Sequence, residues 1–413
     1  MKQTVFLFGA GSSLPWGAPS TNDLTQLITK SGFKIKGEGD YITNFIYNKL
    51  LQSVDNVNFE TILNVIEELI IFYTDEQKGA FFYSPFFDSE DLDKMLNFSI
   101  IGGVEQHGYV LQNPEEYKFF KPSYFNEKPS QFFFQHLFSE LLSTICGAIS
   151  NYSYRTTSYS VINPNSGVSQ QFGKWITDKA KDSVIRMYTL NYDCLFKELM
   201  QNNGIDVFDG FDNSHEIQPG NEAHANINRI YSDVESHIYY NLHGSIFWRV
   251  FSNDFNQAEV LHVGTVDIPC NDYSCITQIE KGKTFPVSNI VSGYHKAHRV
   301  ILSPLRHMYA SFDRDCCMAD SIFICGYSFG DAHINECIRT ALRYNENVKI
   351  EIVDPYFDKE LLLMTKFFPR YNDFERTALS QKMNNMILNS DGSYVVYKTK
   401  FEDFLKENSE RDY

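Results

Sequence analysis

The sequence lacks the paired cysteines of a zinc ribbon or of a disulfide-rich domain. Its eight cysteines are scattered and no two stand in C-x-x-C spacing, whereas a four-thiolate zinc site needs two such pairs and a disulfide framework needs a dense, regular set. His295 and His298 are spaced as a pair of metal ligands would be, but no third ligand accompanies them. We therefore expect reduced, mostly buried thiols and no bound metal.

Basic residues are also too few to balance the acidic ones. The chain has 36 Lys and Arg against 52 Asp and Glu, which gives a formal net charge of -16 and opposes binding to nucleic-acid phosphates or anionic lipids. No apolar run approaches the ~20 residues that span a bilayer, and the first residues show no apolar segment of signal-peptide length. These absences predict a cytoplasmic protein that binds neither nucleic acid nor membrane directly.

The sequence does contain a series of short apolar strands, in a chain of 413 residues of which 43% are hydrophobic. Several of these strands end at a polar cluster, which is typical of buried parallel strands whose ligands gather beyond their carboxyl ends. We predict an α/β protein with a Rossmann-like, doubly wound, mostly parallel sheet. The predicted strands are Val5–Phe8, Val184–Leu190, Ile238–Leu242, Arg299–Leu302, Ser321–Cys325, Val348–Val353 and Tyr394–Tyr397.

The interval between the first two predicted strands is too long for a simple crossover. We predict that residues 31–179 form a mainly helical insertion subdomain, and that residues 1–30 and 180–413 form the core that carries the sheet. One insertion helix is expected to follow Asn58 as its N-cap, and another to cover Phe132–Ile149, because apolar residues recur there every three or four positions.

Two segments of the insertion, Phe81–Phe87 and Tyr117–Phe125, are unusually rich in aromatic residues. They are interpreted either as an irregular packed cap over the sheet or as a contact surface for another subunit.

The first predicted strand runs directly into Gly9-Ala10-Gly11-Ser12-Ser13. Glycines at such a turn let backbone N–H groups and a helix N-terminus face a diphosphate, because no side chain blocks the approach. The full dinucleotide fingerprint is not met, since Leu14 stands where a third glycine is expected. A glycine turn that merely connects a strand to a helix is the alternative.

Two later strands end at candidate catalytic side chains. Asn191 offers a carboxamide suited to hold a ribose hydroxyl or a water, and Asp193 adds a carboxylate beside it. The two residues are equally suited to cap the helix that follows. His243 is the best general-base candidate, because it ends a strand and precedes Gly244, which lets the chain turn sharply.

Two further strand ends complete the set of candidate ligand contacts. The segment from Gly326 to Asp331 repeats the strand-glycine-helix arrangement, so Gly326 and Ser328 are predicted to contact a second phosphate or ribose. Asp354 stands where doubly wound sheets commonly hold an adenosine ribose. A structural Asp-Pro turn is the alternative for Asp354.

Taken in order, five motifs resemble those of the sirtuin-like NAD-binding domain family, in its bacterial anti-phage branch. They are Gly9-Ala10-Gly11-x-Ser13, Thr189-x-Asn191-x-Asp193, Leu242-His243-Gly244, Gly326-Tyr327-Ser328 and Asp354. The resemblance covers the Rossmann-like core and leaves the insertion poorly matched. The zinc ribbon of deacylating sirtuins is absent, and Gly17-Ala18-Pro19-Ser20-Thr21 replaces the Asp-Phe-Arg run that usually follows the first motif.

The resemblance implies an enzyme that hydrolyses NAD, its substrate, to nicotinamide and ADP-ribose, with Asn191 and His243 as catalytic residues. It also implies an NAD-depleting effector of anti-phage defence that is regulated by homo-oligomeric assembly or by a partner such as a HerA-type ATPase or an Argonaute-type sensor. The alternatives are a sensor that binds NAD or ADP-ribose without turnover, and a sirtuin-type protein deacylase or ADP-ribosyltransferase. The implied NAD contacts are Gly9, Ala10, Gly11, Ser13, Asp193, Gly326, Ser328 and Asp354.

Overall fold

The computed structural model of the protein describes most of the chain and nearly all of the main sheet. The described residues are 2–73, 85–102, 110–114, 118–120, 128–156, 158–212, 222–252, 258–264, 266, 288–291, 302–357, 381–383, 386–388 and 394–409.

The main sheet has eight strands, of which six neighbouring strands run parallel. The strands are β1 (Lys2–Phe8), β5 (Ser183–Thr189), β7 (Ile238–Asn241), β10 (Ser321–Cys325), β11 (Lys349–Val353), β12 (Gln381–Met383), β13 (Met386–Leu388) and β14 (Tyr394–Tyr397). Their order is β12-β13-β14-β11-β10-β1-β5-β7. The strands from β14 to β7 pair in parallel, and β12 and β13 extend one edge antiparallel. The predicted Rossmann-like, mostly parallel sheet is confirmed.

Helices cover both faces of this sheet, as in a doubly wound fold. Alternate residues of β1 show why: Val5 and Leu7 belong to one apolar cluster, whereas Phe6 and Phe8 belong to another on the opposite face, because successive side chains of a strand point to opposite sides. The first face carries α9 (Ile227–Ser232), α10 (Leu305–Met318) and α11 (Ala332–Tyr344). The second carries α7 (Gly167–Asp182), α8 (Leu195–Asn202) and α12 (Phe401–Ser409).

Six of the seven predicted strands occur, five of them within one residue of their predicted limits and β1 beginning three residues earlier than predicted. For Arg299–Leu302, residues 299–301 lie outside the described residues and Leu302 is in a bend. The strands β12 and β13 were not predicted, because three-residue strands are too short to show an alternating pattern.

Two small antiparallel sheets lie apart from the main one. The first contains β2 (Ser99–Ile101), β3 (Val110–Asn113) and β4 (Lys118–Phe120), and the second contains β6 (Glu222–His224), β8 (Trp248–Ser252) and β9 (Ala258–Val263) in the order β6-β9-β8.

The segment predicted as an insertion contains a helical cluster with its own apolar core. Its longest members are α4 (Phe59–Phe72) and α6 (Pro129–Ser153), which pack against each other. Asn58 caps α4 as predicted, since its side chain accepts hydrogen bonds from the backbone N–H groups of Glu60 and Thr61. Other helices near the start of the chain are α1 (Ala10–Ser13), α2 (Thr21–Ile28), α3 (Ile42–Leu50) and α5 (Ser89–Met95), with a 3-10 turn at Leu14–Trp16.

Among the described residues, α6 alone is long and apolar enough to cross a membrane by length and composition. Gln135, His136 and Glu140 interrupt its apolar run, and 67% of its most apolar window is buried inside the protein. The helix therefore packs like the core helix of a globular protein.

The C-terminal helix α12 runs to Ser409. Of the aromatic segments, Phe86 and Phe87 pack into the insertion core, whereas residues 81–84, 117 and 121–125 lie outside the described residues. The domain limits at residues 30 and 180 stay predictions. The apolar core of the insertion already begins at Leu24 in α2.

Candidate functional site

The glycine turn after β1 interlocks with the turn after β10. The N–H of Gly9 donates to the carbonyl of Cys325, and the N–H of Gly11 donates to the carbonyl of Gly326, each at 3.0 Å. A Cβ on Gly9 would lie 2.5 Å from the Gly326 oxygen, and one on Gly11 would lie 2.8 Å from the Gly326 Cα. Both glycines are therefore required by backbone packing, whether or not a phosphate also binds there.

Gly326 completes this interlock from the other side. Its φ of +62° lies in the left-handed region, and an added Cβ would stand 2.2 Å from the backbone nitrogen of Ser12. Only glycine tolerates both conditions. The helix that follows Gly9 has four residues before the 3-10 turn, so the helix N-terminus expected at this motif is reduced to a single turn.

The loop after the first motif caps the next helix. In the segment that replaces the Asp-Phe-Arg run, Ser20 accepts a hydrogen bond from the N–H of Asp23, and the Asp23 carboxylate accepts one from the N–H of Ser20. This reciprocal pair is a capping box, which satisfies two backbone donors at the start of α2.

Asn191 lies just beyond the end of β5 and contacts the first motif. Its side-chain nitrogen donates to the hydroxyl of Ser13 at 2.8 Å, and its backbone N–H donates to the hydroxyl of Thr189 at 3.0 Å. The relative solvent exposure is 8% for Asn191 and 1% for Ser13. Two residues that are 178 positions apart in sequence are thus brought together because β1 and β5 are neighbours in the sheet.

Asp193 is fully buried and surrounded by donors. One carboxylate oxygen accepts from the N–H of Leu195 at 2.9 Å, and the other accepts from the hydroxyl of Tyr152 at 2.5 Å and lies 3.5 Å from the hydroxyl of Ser13. Burial raises the pKa of Asp193, and the hydrogen bonds from Tyr152, Leu195 and Ser13 oppose that rise. Asp193 thus binds the first N–H of α8, although the N-cap of that helix is Cys194 rather than Asp193 or Asn191.

Asn241 is a site residue that the sequence analysis did not single out, although it belongs to the motif around His243. Its side-chain nitrogen donates to the backbone carbonyls of Asn191 and Asp193, at 3.0 and 2.8 Å. It lies opposite Thr189 in the parallel pairing of β5 and β7. Asn241 therefore fixes the loop that carries Asn191 to the strand that leads to His243.

His243 pairs with a carboxylate from the opposite side of the site. Its Nε2 lies 3.1 Å from Oδ2 of Asp331, while Oδ1 of Asp331 accepts from the N–H groups of His333 and Ile334 at the start of α11. One carboxylate thus caps a helix and holds an imidazole. Asp331 belongs to the segment predicted to contact a second phosphate or ribose, but its pairing with His243 was not predicted, because the contact joins residues 88 positions apart.

The turn after His243 requires glycine, as predicted. Gly244 has a φ of +78°, and a Cβ there would lie 2.1 Å from the carbonyl oxygen of Asn289. The chain therefore turns sharply directly after His243, which lies two residues beyond β7 and is 4% exposed.

These contacts form a closed ring at the carboxyl ends of β10, β1, β5 and β7. The ring runs from Ser13 to Asn191, through Asn241 to His243, and through Asp331 back to the Gly326 turn that holds Gly11. It brings together residues from four of the five motifs and adds Asp331, to which the sequence analysis gave no role.

The other predicted ligand contacts lie around this ring. Ala10 and Ser328 are exposed. Asp354 follows β11, next to β10 in the sheet, and its Oδ1 accepts from the N–H of Tyr356 at 2.9 Å, which is the structural Asp-Pro turn given as its alternative. The binding of NAD by these residues stays a prediction.

No metal-binding group is evident in the part of the chain that the structure describes: no three His, Cys, Asp or Glu side chains cluster closely enough to hold an ion. His295 and His298 lie outside that part.

One part of the chain is similar to a known protein family. Residues 186–367, from β5 to beyond β11, are similar to the family model for the SIR2-like domain. No curated protein matches the chain.

Solved structures of sirtuins are similar over nearly the whole length at low identity. A Sir2 homologue mutant in complex with 2′-O-acetyl ADP-ribose is 12% identical, with a TM-score of 0.39, and the match covers 99% of this chain and 90% of that one. A complex of a Sir2 homologue with NAD is also 12% identical, with a TM-score of 0.38 and coverage of 99% and 88%. Because these scores are low, the fold assignment depends on the strand order and pairing described above.

Proposed function

We propose that the protein is an NAD glycohydrolase that cleaves NAD to nicotinamide and ADP-ribose. The observation that carries this proposal is the ring of contacts that joins Asn191, through Asn241, to His243 and Asp331 at one edge of the sheet. Ligands of doubly wound proteins bind at this edge. The match of residues 186–367 to the SIR2-like domain adds support.

In this mechanism the bond between the ribose C1′ and the nicotinamide nitrogen breaks, and its electron pair stays with nicotinamide. The ribose passes through an oxocarbenium-like transition state, and a water adds to C1′. Asn191 orients the ribose and the water, and His243 accepts the proton that the water loses. The products are nicotinamide, ADP-ribose and one proton.

Asp331 supports the proton transfer. A neutral imidazole that donates from Nε2 to this carboxylate presents Nδ1 as its acceptor. When His243 takes the proton, the negative charge of Asp331, 3.1 Å away, stabilises the imidazolium.

We further propose that the enzyme is a cytoplasmic, NAD-depleting effector of anti-phage defence. Because uncontrolled loss of NAD would kill the cell, turnover is expected to depend on homo-oligomeric assembly or on a partner, such as a HerA-type ATPase or an Argonaute-type sensor. A rate of NAD consumption that rises faster than linearly with protein concentration is the expected sign of activation by assembly.

The test measures nicotinamide release by chromatography from NAD and the purified protein, at several protein concentrations and with or without candidate partners. Asn191→Ala and His243→Ala should abolish release, at an unchanged thermal unfolding midpoint. Exposed residues offer matched controls, Asn165→Ala and His333→Ala, and these should behave as the wild type.

Full activity in both site variants would refute the proposal. Tight binding of NAD by calorimetry, with the ligand intact after long incubation under every condition, would identify a sensor instead. Transfer of an acyl group from a peptide, or of labelled ADP-ribose to a protein, would identify a deacylase or an ADP-ribosyltransferase.

A further inference from the structure

Tyr152, in the last turn of α6, joins the helical insertion to the candidate site. Its ring packs against both the apolar core of the insertion and the apolar cluster on the second face of the main sheet. Its hydroxyl donates to the carboxylate of Asp193 at 2.5 Å. One side chain thus links the end of α6 to the loop that follows β5.

The loop between β5 and α8 depends on Asp193 for its conformation. The carboxylate also accepts from the N–H of Leu195, and Tyr239 and Asn241 donate to its backbone carbonyl. Asn191 lies two residues earlier and donates to Ser13, whose hydroxyl lies 3.5 Å from the same carboxylate oxygen that Tyr152 binds. A movement of Asp193 would therefore also move Asn191, through the backbone that joins them and through the longer contact to Ser13.

Apolar packing ties the same loops to the insertion. Tyr192 and Cys194, on either side of Asp193, are buried in the insertion core, and so are Ile246 and Phe247, which follow His243. The insertion thus packs against the chain directly beside both proposed catalytic residues.

We propose that Tyr152 is a positioning residue through which the helical insertion holds the Asn191 loop in its catalytic geometry. The proposal rests on the proposed function for its kinetic consequences. A shift of the insertion would move the ring of Tyr152 and break its hydrogen bond to Asp193. A subunit or partner that binds the insertion would in this way change the rate of NAD cleavage.

The test replaces Tyr152 by Phe, which keeps the ring and its packing and removes the hydroxyl. A misplacement of about 1 Å in a reacting group can cost roughly a hundredfold in rate, so we expect kcat for nicotinamide release to fall roughly 10- to 100-fold, with KM for NAD unchanged. Tyr154→Phe is the matched control: Tyr154 lies just past α6 and its ring packs on Tyr159. It should keep the wild-type kcat.

Two kinetic outcomes would overturn the proposal. One is a kcat for Tyr152→Phe equal to that of Tyr154→Phe and the wild type. The other is a fall in kcat accompanied by an equal loss of NAD affinity and a lower unfolding midpoint, which would assign the hydroxyl a purely structural role.

A second measurement keeps the proposal testable if the wild type cleaves NAD at no protein concentration and with no candidate partner, a result that would refute the proposed function by itself. Hydrogen exchange of the peptide that contains residues 189–195 should be faster in Tyr152→Phe than in Tyr154→Phe, while the peptides of β1 and β10 exchange as in the wild type. Equal exchange at residues 189–195 in the two variants would show that Tyr152 does not hold the loop.

Discussion

Strand β5 carries polar groups in two regions, one in the interior of the sheet and one at its carboxyl end, and they differ in how they are satisfied. In the interior, the Nε of Arg186 donates to Asp315 at 2.6 Å and the hydroxyl of Tyr188 donates to the same carboxylate at 2.7 Å. Both nitrogens at the tip of the guanidinium donate to backbone carbonyls, of Ser236 and Asp233. At the strand end, the ring around Asn191 and His243 contains mainly neutral groups.

This difference distinguishes a polar network that stabilises the sheet from a group of side chains that is suited to bind a ligand. A charge buried inside a sheet persists only when it is paired and hydrogen-bonded, because an uncompensated buried ion is very costly. Arg186 and Asp315 meet that condition with the protein alone. Beyond the strand ends, the side chains are held by contacts to neighbouring loops, an arrangement that suits ligand chemistry better than stability.

The largest expected effect is at the interior pair. Asp315→Asn removes the nearer of the two carboxylates beside the buried guanidinium of Arg186, because Asp233 lies farther away at 3.9 Å, and we expect a loss of about 3–5 kcal/mol of stability. Denaturant unfolding followed by circular dichroism measures it. Nicotinamide release per folded molecule should be unchanged. A variant that is stable but inactive would contradict the distinction between the structural network inside the sheet and the site at the strand ends.

Gly326 follows β10 at the same edge of the sheet as the candidate site, and its replacement should disturb the turn that packs against it. Ala at this position combines a positive φ with a Cβ 2.2 Å from the backbone of Ser12, which we expect to cost roughly 2–4 kcal/mol from backbone strain and overpacking. The control is Gly330→Ala at an exposed position, where the added Cβ would meet only the hydroxyl of Ser328, at 3.6 Å. Equal unfolding midpoints for the two variants would contradict the interlock of the turns.

Asp331→Asn sharpens the comparison, because it should affect activity and spare stability. Asn caps a helix as well as Asp does, so the start of α11 is preserved, while His243 loses its charged partner. We expect roughly a 10- to 100-fold fall in kcat, less than the ~10⁴-fold loss seen when the carboxylate that orients a serine-protease histidine is changed to an amide. Wild-type kcat in this variant would remove Asp331 from the mechanism.

The smallest effect is a pH dependence of stability at His262, which is buried in β9 of the second small sheet. Its Nε2 is 3.7 Å from Asp209, which pairs with Lys197, and burial lowers the pKa of His262 from 6.5 to about 3. Between these two pH values, His262 is protonated in the unfolded chain but not in the folded chain. The free energy of unfolding therefore falls as the pH is lowered, by at most ~1.4 kcal/mol per pH unit.

The variant His262→Gln has no such titration, so its unfolding free energy should fall less between about pH 6.5 and pH 5.5 than that of the wild type. Parallel pH profiles for the two proteins would assign the acid sensitivity to other groups.

The strands were predictable from sequence because buried parallel strands are continuous apolar runs, as in β1, and the capping of α4 was predictable because Asn58 acts on N–H groups two and three residues away. The short β12 and β13 were missed, and so was the role of Asp331. Three-residue strands are too short to show an alternating pattern. The partner of Asp331 lies 88 positions away in the chain, so a local pattern does not contain that contact.

For the candidate site, the sequence by itself determined which side chains stand at the strand ends, because glycine turns and polar residues directly follow apolar runs. Tertiary structure alone decided their partners. Strand order placed Ser13 next to Asn191 and Asp331 next to His243. It also packed the backbones at Gly9, Gly11 and Gly326 so closely that no side chain fits at these three positions. The physical reason is separation along the sequence. A strand and its turn are set by neighbouring residues, whereas contacts between residues 88 or 178 positions apart form only once the sheet has assembled.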